Sequence, residues 1–406
     1  MIKSYKIIND PVHGFVNIPS GLILEIIEHP YFQRLRDIKQ LGLTNLVYPG
    51  ATHSRLLHAL GAMHLMKEAI TSLQSKGVVI TEAEEEASLA AILLHDIGHG
   101  PFSHALENNI IQGVSHEEIS LALMSAINKE KGGRLNTAIE IFEDKYPKHF
   151  LHQLVSSQLD VDRLDYLKRD SFFSGVAEGM IGLERIIKML HVDNNSLVVE
   201  QKGIYSIEKF LISRRLMYWQ VYLHKTVIAA GQLLIQILKR ARLLTINSAI
   251  LPGSPAINFF LKNSFSADNL ENKDILNKFI LLDDTDIMSA IKQWQFSDDM
   301  TLSFLCKMLI NRRLPKIVLS ADPFEKSDIE KAKDIVLKYD QINDMDIDYF
   351  VQSGEVRNSG YDTQEEEIKI LSKDGSVQNV YLISDMLSAK AFSQITKKYF
   401  LCTAKI

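Results

Sequence analysis

Cysteine is almost absent from this chain, whose 406 residues include only two, Cys306 and Cys402. They stand far apart and in no CxxC pattern, which excludes a disulfide scaffold or thiolate-zinc framework and fits a reducing cytoplasm. Both read as packing residues. Long apolar runs are also missing. Nothing approaches the ~18 residues of a membrane span, and the opening MIKSYKIINDPVHG is too polar for a signal peptide. Positive charge is not in excess either: 45 Lys+Arg against 50 Asp+Glu give a formal charge of -5, so no general basic field invites nucleic acid. The expectation is a soluble, cytoplasmic, globular protein, long enough for one large domain and a smaller one.

Up to about residue 312, apolar residues recur at three and four positions between turn signals, the pattern of helices. Residues 81–94, TEAEEEASLAAILL, show it best: Thr81 and Glu84 form a capping box, acids fill the first turn and apolar residues the end. A long helix is predicted from about Ile207 to Leu244, and a small hairpin within 190–205 around Asn194-Asn195. From Pro315 the texture changes. KIVLS, a helical stretch near 327–339, DYFVQSGEVRN, EIKILSKDGSVQNVYLI, a short helix near 385–395 and KYFLCTAK set strands around helices. KDGS at 373–376 reads as a hairpin turn, and KAFSQITKK as a half-buried helix rather than a basic recognition element. The expected class is mainly α, with a helical core over 1–314 and a small α+β appendage over 315–406.

LLHDIGHGPFSH, residues 93–104, holds three of the chain's 13 histidines and ends an apolar run. Borderline divalent metals take imidazole and carboxylate ligands, and a helix terminus can turn the adjacent His95 and Asp96 onto one ion. His58, in HSRLLHALGAMHLM, and Asp162, in LDVDRLDYLKRD, lie on helical patterns that could complete the set. Any one of them alone reads better as a core histidine or a solvated acid; the set is what points to metal. Gly98, Gly100 and Pro101 break the helix, so His99 and His104 fall in a tight turn beside the pair. Imidazoles there can move protons near neutral pH or face a phosphate. His116-Glu117 has the form of a general acid with an orienting carboxylate, although Ser115 also reads as a helix cap. Asp162, Tyr166 and Asp170 fall at i, i+4 and i+8 with Arg163 beside them, whereas Asp165 and Arg169 share another face and read as a surface ion pair.

On these residues the chain resembles the HD superfamily of metal-dependent phosphohydrolases. NDPVHGFV (9–16), PYFQRLRDIKQLG (30–42), YPGATHSRLLHALG (48–61), LLHDIGHGPFSH, SHEEIS, LDVDRLDYLKRD and VYLHKT (221–226) occur in the order seen in deoxynucleoside triphosphate triphosphohydrolases, over roughly residues 5–245. The resemblance implies that an HD-domain helical core holds one divalent transition metal (Mn, Fe, Co, Ni or Zn) on His58, His95, Asp96 and Asp162, with Mg at the substrate phosphates. It makes His104 and His116, with Glu117, the acid-base group and puts His99 on phosphate. Arg55, Arg163, Tyr166 and Arg214 would grip the triphosphate, Arg163 standing where the animal enzyme has lysine and keeping its charge. Gln40, Leu41 and Asp170 would surround the deoxyribose, and Tyr222 would close on the ring and exclude a 2'-hydroxyl. Tyr218 stands where the animal enzyme has histidine.

The implied reaction is water attack on the α-phosphorus, releasing deoxynucleoside and inorganic triphosphate. The resemblance also implies a homo-oligomer, dimer or tetramer, with a nucleotide activator site at Lys6, Ile7, Gln33, Arg36 and Lys225. The alternatives are an HD phosphohydrolase acting on a monophosphate, cyclic nucleotide or alarmone, for which no GYP motif speaks, and a regulatory nucleotide- or nucleic-acid-binding HD protein, which would not need intact ligands and acid-base residues.

Overall fold

The computed structural model describes residues 5–102, 113–263, 265, 269–270, 272–339, 342–358, 367–385 and 396–405. The chain opens with an antiparallel hairpin of β1 (Tyr5–Asp10) and β2 (Gly14–Pro19). Two short helices follow, α1 (Leu22–Ile27) and α2 (Pro30–Gln33), then α3 (Arg55–Ser75) and α4 (Glu82–Leu94). After the histidine-rich turn come α5 (His116–Glu130), α6 (Asn136–Phe142), α7 (His149–Val155), α8 (Val161–Ser174) and α9 (Leu183–Met189). The fold is mainly α, as its apolar periodicity requires.

Helix α3 lies at the centre and packs against both α4 and α8. Leu60, Met63, Met66, Ile70 and Leu73 of α3 are buried with Ala90, Ile92, Leu93 and Leu94 of α4. The capping box of α4 forms as the sequence predicts: Thr81 Oγ1 accepts from the Glu84 amide, and Glu84 Oε2 accepts from the Thr81 amide. Ser115 and Glu118 build the same device at α5. Asp160 caps α8, and Gly175, at φ +74, ends it.

The predicted hairpin forms from β3 (Leu190–Asp193) and β4 (Ser196–Glu200), with Asn194 and Asn195 both at positive φ in its two-residue turn. The single long helix expected over 207–244 is instead two. Helix α10 (Ile204–Met217) runs into a π-helical turn, Tyr218–Tyr222, and α11 (Lys225–Ile246) starts afresh at an angle of 53°. His224 makes the restart: its side chain caps α11 by accepting from the Thr226 amide. Helices α12 (Pro255–Lys262), α13 (Lys273–Phe279), α14 (Asp284–Trp294) and α15 (Met300–Ile310) complete the helical body. Among the described residues no single helix is long and apolar enough to cross a membrane.

The C-terminal stretch supplies β5 (Lys316–Ser320), α16 (Lys326–Val336), β6 (Val351–Asn358), β7 (Lys369–Leu371), β8 (Val377–Asn379), α17 (Val380–Ile383) and β9 (Thr396–Thr403). Its strands divide between two sheets. One is antiparallel, in the order β5-β9-β6, and its Phe400 and Cys402 pack on Ala229 of α11. In the other, β7 pairs in parallel with β4 of the body, giving the order β3-β4-β7-β8. KDGS does turn β7 into β8, with Gly375 at φ +85. The helix expected near 385–395 falls almost wholly outside the described residues, as does most of KAFSQITKK, whose Thr396–Lys398 belong to β9. Both cysteines are buried free thiols, pushed up to about 12 by burial and so inert.

Candidate active site

Three helices deliver the histidine and aspartate set. His58 sits one turn into α3, His95 is the residue on which α4 ends, with Asp96 directly after it, and Asp162 lies in the first turn of α8. One ligand atom each from His58, His95 and Asp162 lie within 4.8 Å of one another. Asp162 Oδ1 is 3.0 Å from His58 Nε2 and 3.4 Å from His95 Nε2. Asp96 closes the set, Oδ1 at 3.4 Å from His95 Nε2 and Oδ2 at 3.8 Å from His58 Nε2.

The residues fit a divalent cation. Both Nε2 atoms are buried and lack a hydrogen-bond partner, although carboxylate oxygens crowd them. Two atoms each about 2.1 Å from one ion, at 90–110°, lie about 3.0–3.4 Å apart, the spacing found for three of the four pairs; Asp96 Oδ2 to His58 Nε2, at 3.8 Å, is longer. The other ring nitrogens are engaged: His58 Nδ1 with Asp165 Oδ2 at 2.8 Å, and His95 Nδ1 with the Ile92 carbonyl at 2.6 Å. A neutral imidazole that donates through Nδ1 presents its Nε2 lone pair outward. Burial opposes charging of His58, but Asp162 and Asp165 outweigh it and push its pKa up to about 10. Burial likewise raises the Asp162 and Asp96 carboxyls, and neighbouring histidines, joined at Asp96 by Arg55, overcome it and hold both low. Without a metal the site takes up protons, which a bound cation would displace.

Beside this group lies a cavity of about 650 Å³. Its wall includes Gln40, Leu41, Arg55, His95, Asp96, His99, His116, Glu117, Asp162, Arg163, Tyr166, Asp170, Arg214, Tyr218 and Tyr222, so residues from distant motifs meet in one space. The arginines are braced from behind. Arg55 donates to Asp96 Oδ2, Arg163 to Asp160, and Arg214 to Gln158 Oε1 at 3.0 Å. His99 and His116 stack with ring centroids 3.9 Å apart, and His116 Nε2 is 3.2 Å from Glu117 Oε1. Burial, aided by the charge of Arg55, holds His99 well below the usual imidazole range and therefore neutral. His104 lies outside the described residues.

Asp170 anchors the part of the wall two turns further along α8 from Asp162. Tyr222 donates its hydroxyl to Oδ2 at 2.7 Å, and His53 Nε2 meets Oδ1 at 2.8 Å. The π-helical turn carries Tyr218 and Tyr222 together, and Tyr222 also meets Tyr166 edge-on. Gln40 Oε1 is buried and, among the described residues, has no partner.

Sequence reasoning missed the groups that hold this wall in shape. Buried Arg34 donates to the carbonyls of Ile97, His99 and Leu282, clamping the histidine turn. Asp284 accepts from the amides of Lys39 and Phe102. His53 precedes the recognisable Arg55 and stacks on Phe173. Arg34 and His53 lie inside motifs quoted above without standing out, and Asp284 lies far from any motif and gave no signal. One reading needs correction: Asp165 and Arg169 are no surface pair. Both are fully buried, joined bidentately, and pack behind His58, because α8 turns that face toward α3 and the N-terminal hairpin. Lys6, Ile7, Gln33, Arg36 and Lys225 do not line the cavity. Lys6 pairs with Glu28, Ile7 is exposed on β1, Arg36 donates to Gln33, and Lys225 opens α11.

A helical frame that gathers imidazoles and carboxylates around a cation site, beside a cavity walled with arginines, defines a metal-dependent hydrolase of phosphate esters. Comparison with known proteins gives the family. Residues 53–170 match the HD domain and residues 181–248 the HD associated region. The uncharacterized protein YwfO of Bacillus subtilis is 32% identical over 397 residues, 93% of this chain and 88% of that protein. The crystal structure of a phosphohydrolase (BT4208) from Bacteroides thetaiotaomicron is 53% identical, covering 99% of this chain and all of that one with a TM-score of 0.96. The deoxynucleoside triphosphate triphosphohydrolase SAMHD1 homolog of Dictyostelium discoideum is 34% identical over 242 residues, 55% of this chain and 47% of that protein, so the match spans about half of that relative. The chain belongs to the HD-domain phosphohydrolase family and resembles its deoxynucleotide triphosphohydrolases.

Proposed function

We propose that this protein hydrolyses deoxynucleoside triphosphates to deoxynucleoside and inorganic triphosphate. The observation that carries the reading is that one cavity holds both a cation-ready His-Asp group and a set suited to a sugar: Asp170, Tyr222 and the unpartnered Gln40 Oε1. A divalent transition metal held by His58, His95, Asp96 and Asp162 would polarise the phosphoryl group at the α-phosphorus. Arg55, Arg163 and Arg214 offset charge on the triphosphate as its α-phosphorus is attacked, with Tyr166 beside them. Neutral His99 donates to a phosphate oxygen. His116, oriented by Glu117, moves a proton to the leaving 5'-oxygen, and His104 shares that work.

Asp170 accepts the one proton of a 3'-hydroxyl, and the Gln40 side-chain amide meets the same oxygen. Asp170 keeps capacity for it although His53 and Tyr222 already engage its oxygens, because a carboxylate offers about four acceptor positions. The Tyr222 ring, fixed by its bond to Asp170, leaves no room for a 2'-hydroxyl. Leu41 packs against the sugar, and Tyr218 lies towards the base. Lys6, Ile7, Gln33, Arg36 and Lys225 form a second nucleotide site in a homo-oligomer, so activity on one dNTP should rise when a second is added, together with the mass in solution. The core over 1–314 houses the site, and 315–406 supports it.

The test is a panel of dNTPs and NTPs with Mn, Fe, Co, Ni or Zn loaded and Mg added, products resolved as triphosphate, pyrophosphate or phosphate. Triphosphate with free deoxynucleoside is expected, with NTPs spared. Pyrophosphate or phosphate would move the assignment to another nucleotide phosphoester.

A further inference from the structure

We infer that Asp165 is a positioning residue for the ligand His58, fixed by a buried ion network that extends through Arg169 to Asp10 and His13 of the N-terminal hairpin. The inference rests on reading His58 as a metal ligand.

Every acceptor direction of the Asp165 carboxylate is spoken for. Oδ2 faces His58 Nδ1 at 2.8 Å and accepts from Arg169 Nε at 2.8 Å. Oδ1 faces His13 Nε2 at 2.6 Å and accepts from Arg169 Nη2 at 2.9 Å. The guanidinium is held in turn, Nη1 donating to Asp10 Oδ2 at 2.8 Å, and Asp10 Oδ1 accepts from the amides of Val12 and His13. That last pair sets the turn between β1 and β2. A carboxylate with four bonds cannot rotate, so the plane of the His58 ring follows from it, and so does the tautomer that turns Nε2 toward Asp162 and Asp96.

The cost of this arrangement is visible in α3. Glycine inside a helix is less favourable than alanine, and Gly61 lies one turn after His58 inside α3. A Cβ there would stand 2.1 Å from both Arg169 Nη2 and Asp165 Oδ1. Only a residue without a side chain lets the ion pair reach His58. Two carboxylates, Asp10 and Asp165, also share a single guanidinium, which leaves negative charge behind the imidazole and strengthens it as a donor to a cation.

A network that merely held the fold together would lower the melting temperature and leave bound metal unchanged, so the test reads the metal itself. Purified full-length protein stripped of metal is titrated with Co(II) against a chelating indicator, and the visible bands of bound Co(II) are recorded alongside thermal unfolding. Wild type should take up Co(II) at the site, and His58→Ala should lose it. Asp165→Asn should weaken Co(II) binding by about 10- to 100-fold and shift its bands. Gly61→Ala, which moves the carboxylate without removing it, should do the same. His13→Asn takes away one of the four bonds and spares the Arg169 pair; its loss should fall at the low end of that range, and it serves where the other two fail to fold. Folded Asp165→Asn, Gly61→Ala or His13→Asn protein with wild-type affinity and bands overturns the relay while leaving His58 as a ligand. Wild type that takes up no Co(II), or His58→Ala that binds it as wild type does, overturns the ligand reading and the relay with it.

Discussion

Helix α8 presents two rows of ionisable residues one position apart in phase, and they meet opposite fates. Asp162, Tyr166 and Asp170 face the cavity, where their oxygens keep capacity for a cation or a sugar. Asp165 and Arg169, turned toward α3 and the hairpin, are fully buried and saturated with partners. Aspartates at the same i, i+4 spacing therefore stay open to a cavity on one side and are locked by partners on the other. What separates them is whether the neighbouring element leaves room or fills it. Burial of a satisfied ion network does not by itself stabilise a fold, but breaking one does great harm, because the surviving charge has no water to turn to.

Four changes would break or sharpen this contrast. The largest effect should come from the open row. Asp162→Ala should lower phosphohydrolase turnover by at least about 10²–10³-fold, while thermal unfolding stays within a few degrees of wild type. The saturated row should respond in reverse: Arg169→Met strands Asp10 and Asp165, and chemical denaturation should register a loss of about 3–5 kcal/mol. If Arg169→Met were as stable as wild type, the two rows would not differ as described. Tyr222→Ala should erode preference for dNTPs over NTPs by about tenfold, some 1.4 kcal/mol, whereas Tyr222→Phe, which keeps the ring but frees it from Asp170, should lose only part of it. Steady-state rates on paired deoxy- and ribonucleotides decide this.

The smallest effect concerns a pair outside both rows, on the helix that delivers His95. Burial raises the Glu84 carboxyl, but Lys148, the Thr81 amide and Tyr146 outweigh it and hold the pKa at about 2. A carboxyl held that low contributes stability in full above its unfolded value of about 4.5 and loses it as pH falls toward 2. Glu84→Gln retains the capping geometry but not the charge. It should cost about 1 kcal/mol at neutral pH, and the deficit should shrink between pH 4.5 and 2 in thermal scans.

Much of the candidate site was legible because its signals are local. His95-Asp96 follow a helix whose cap, acidic first turn and apolar end are all written in fourteen residues, and Asn194-Asn195 announce a two-residue turn. The Asp165-Arg169 pair was misread for a physical reason: an i, i+4 ion pair has the same spacing in solvent as in a core. Its burial depends on Gly61 in another helix and on a hairpin turn near residue 10. The break between α10 and α11 was hidden too, since YWQVY keeps its apolar spacing whether the turn holds the usual number of residues or a wider one. Arg34 and Asp284 clamp the histidine turn through backbone atoms, which no side-chain pattern reveals.

The parallel pairing of β4 with β7 bears on how the molecule is made. Val199 and Glu200 find their partners in Ile370 and Leu371, so a sheet begun by β3 and β4 cannot be finished until β7 has been made. Until then β4 is an unpaired edge beside apolar surface, open to mispairing with other nascent chains. Protein cut after residue 314 would carry that raw edge permanently, and co-expression of the missing segment in trans would be the natural remedy.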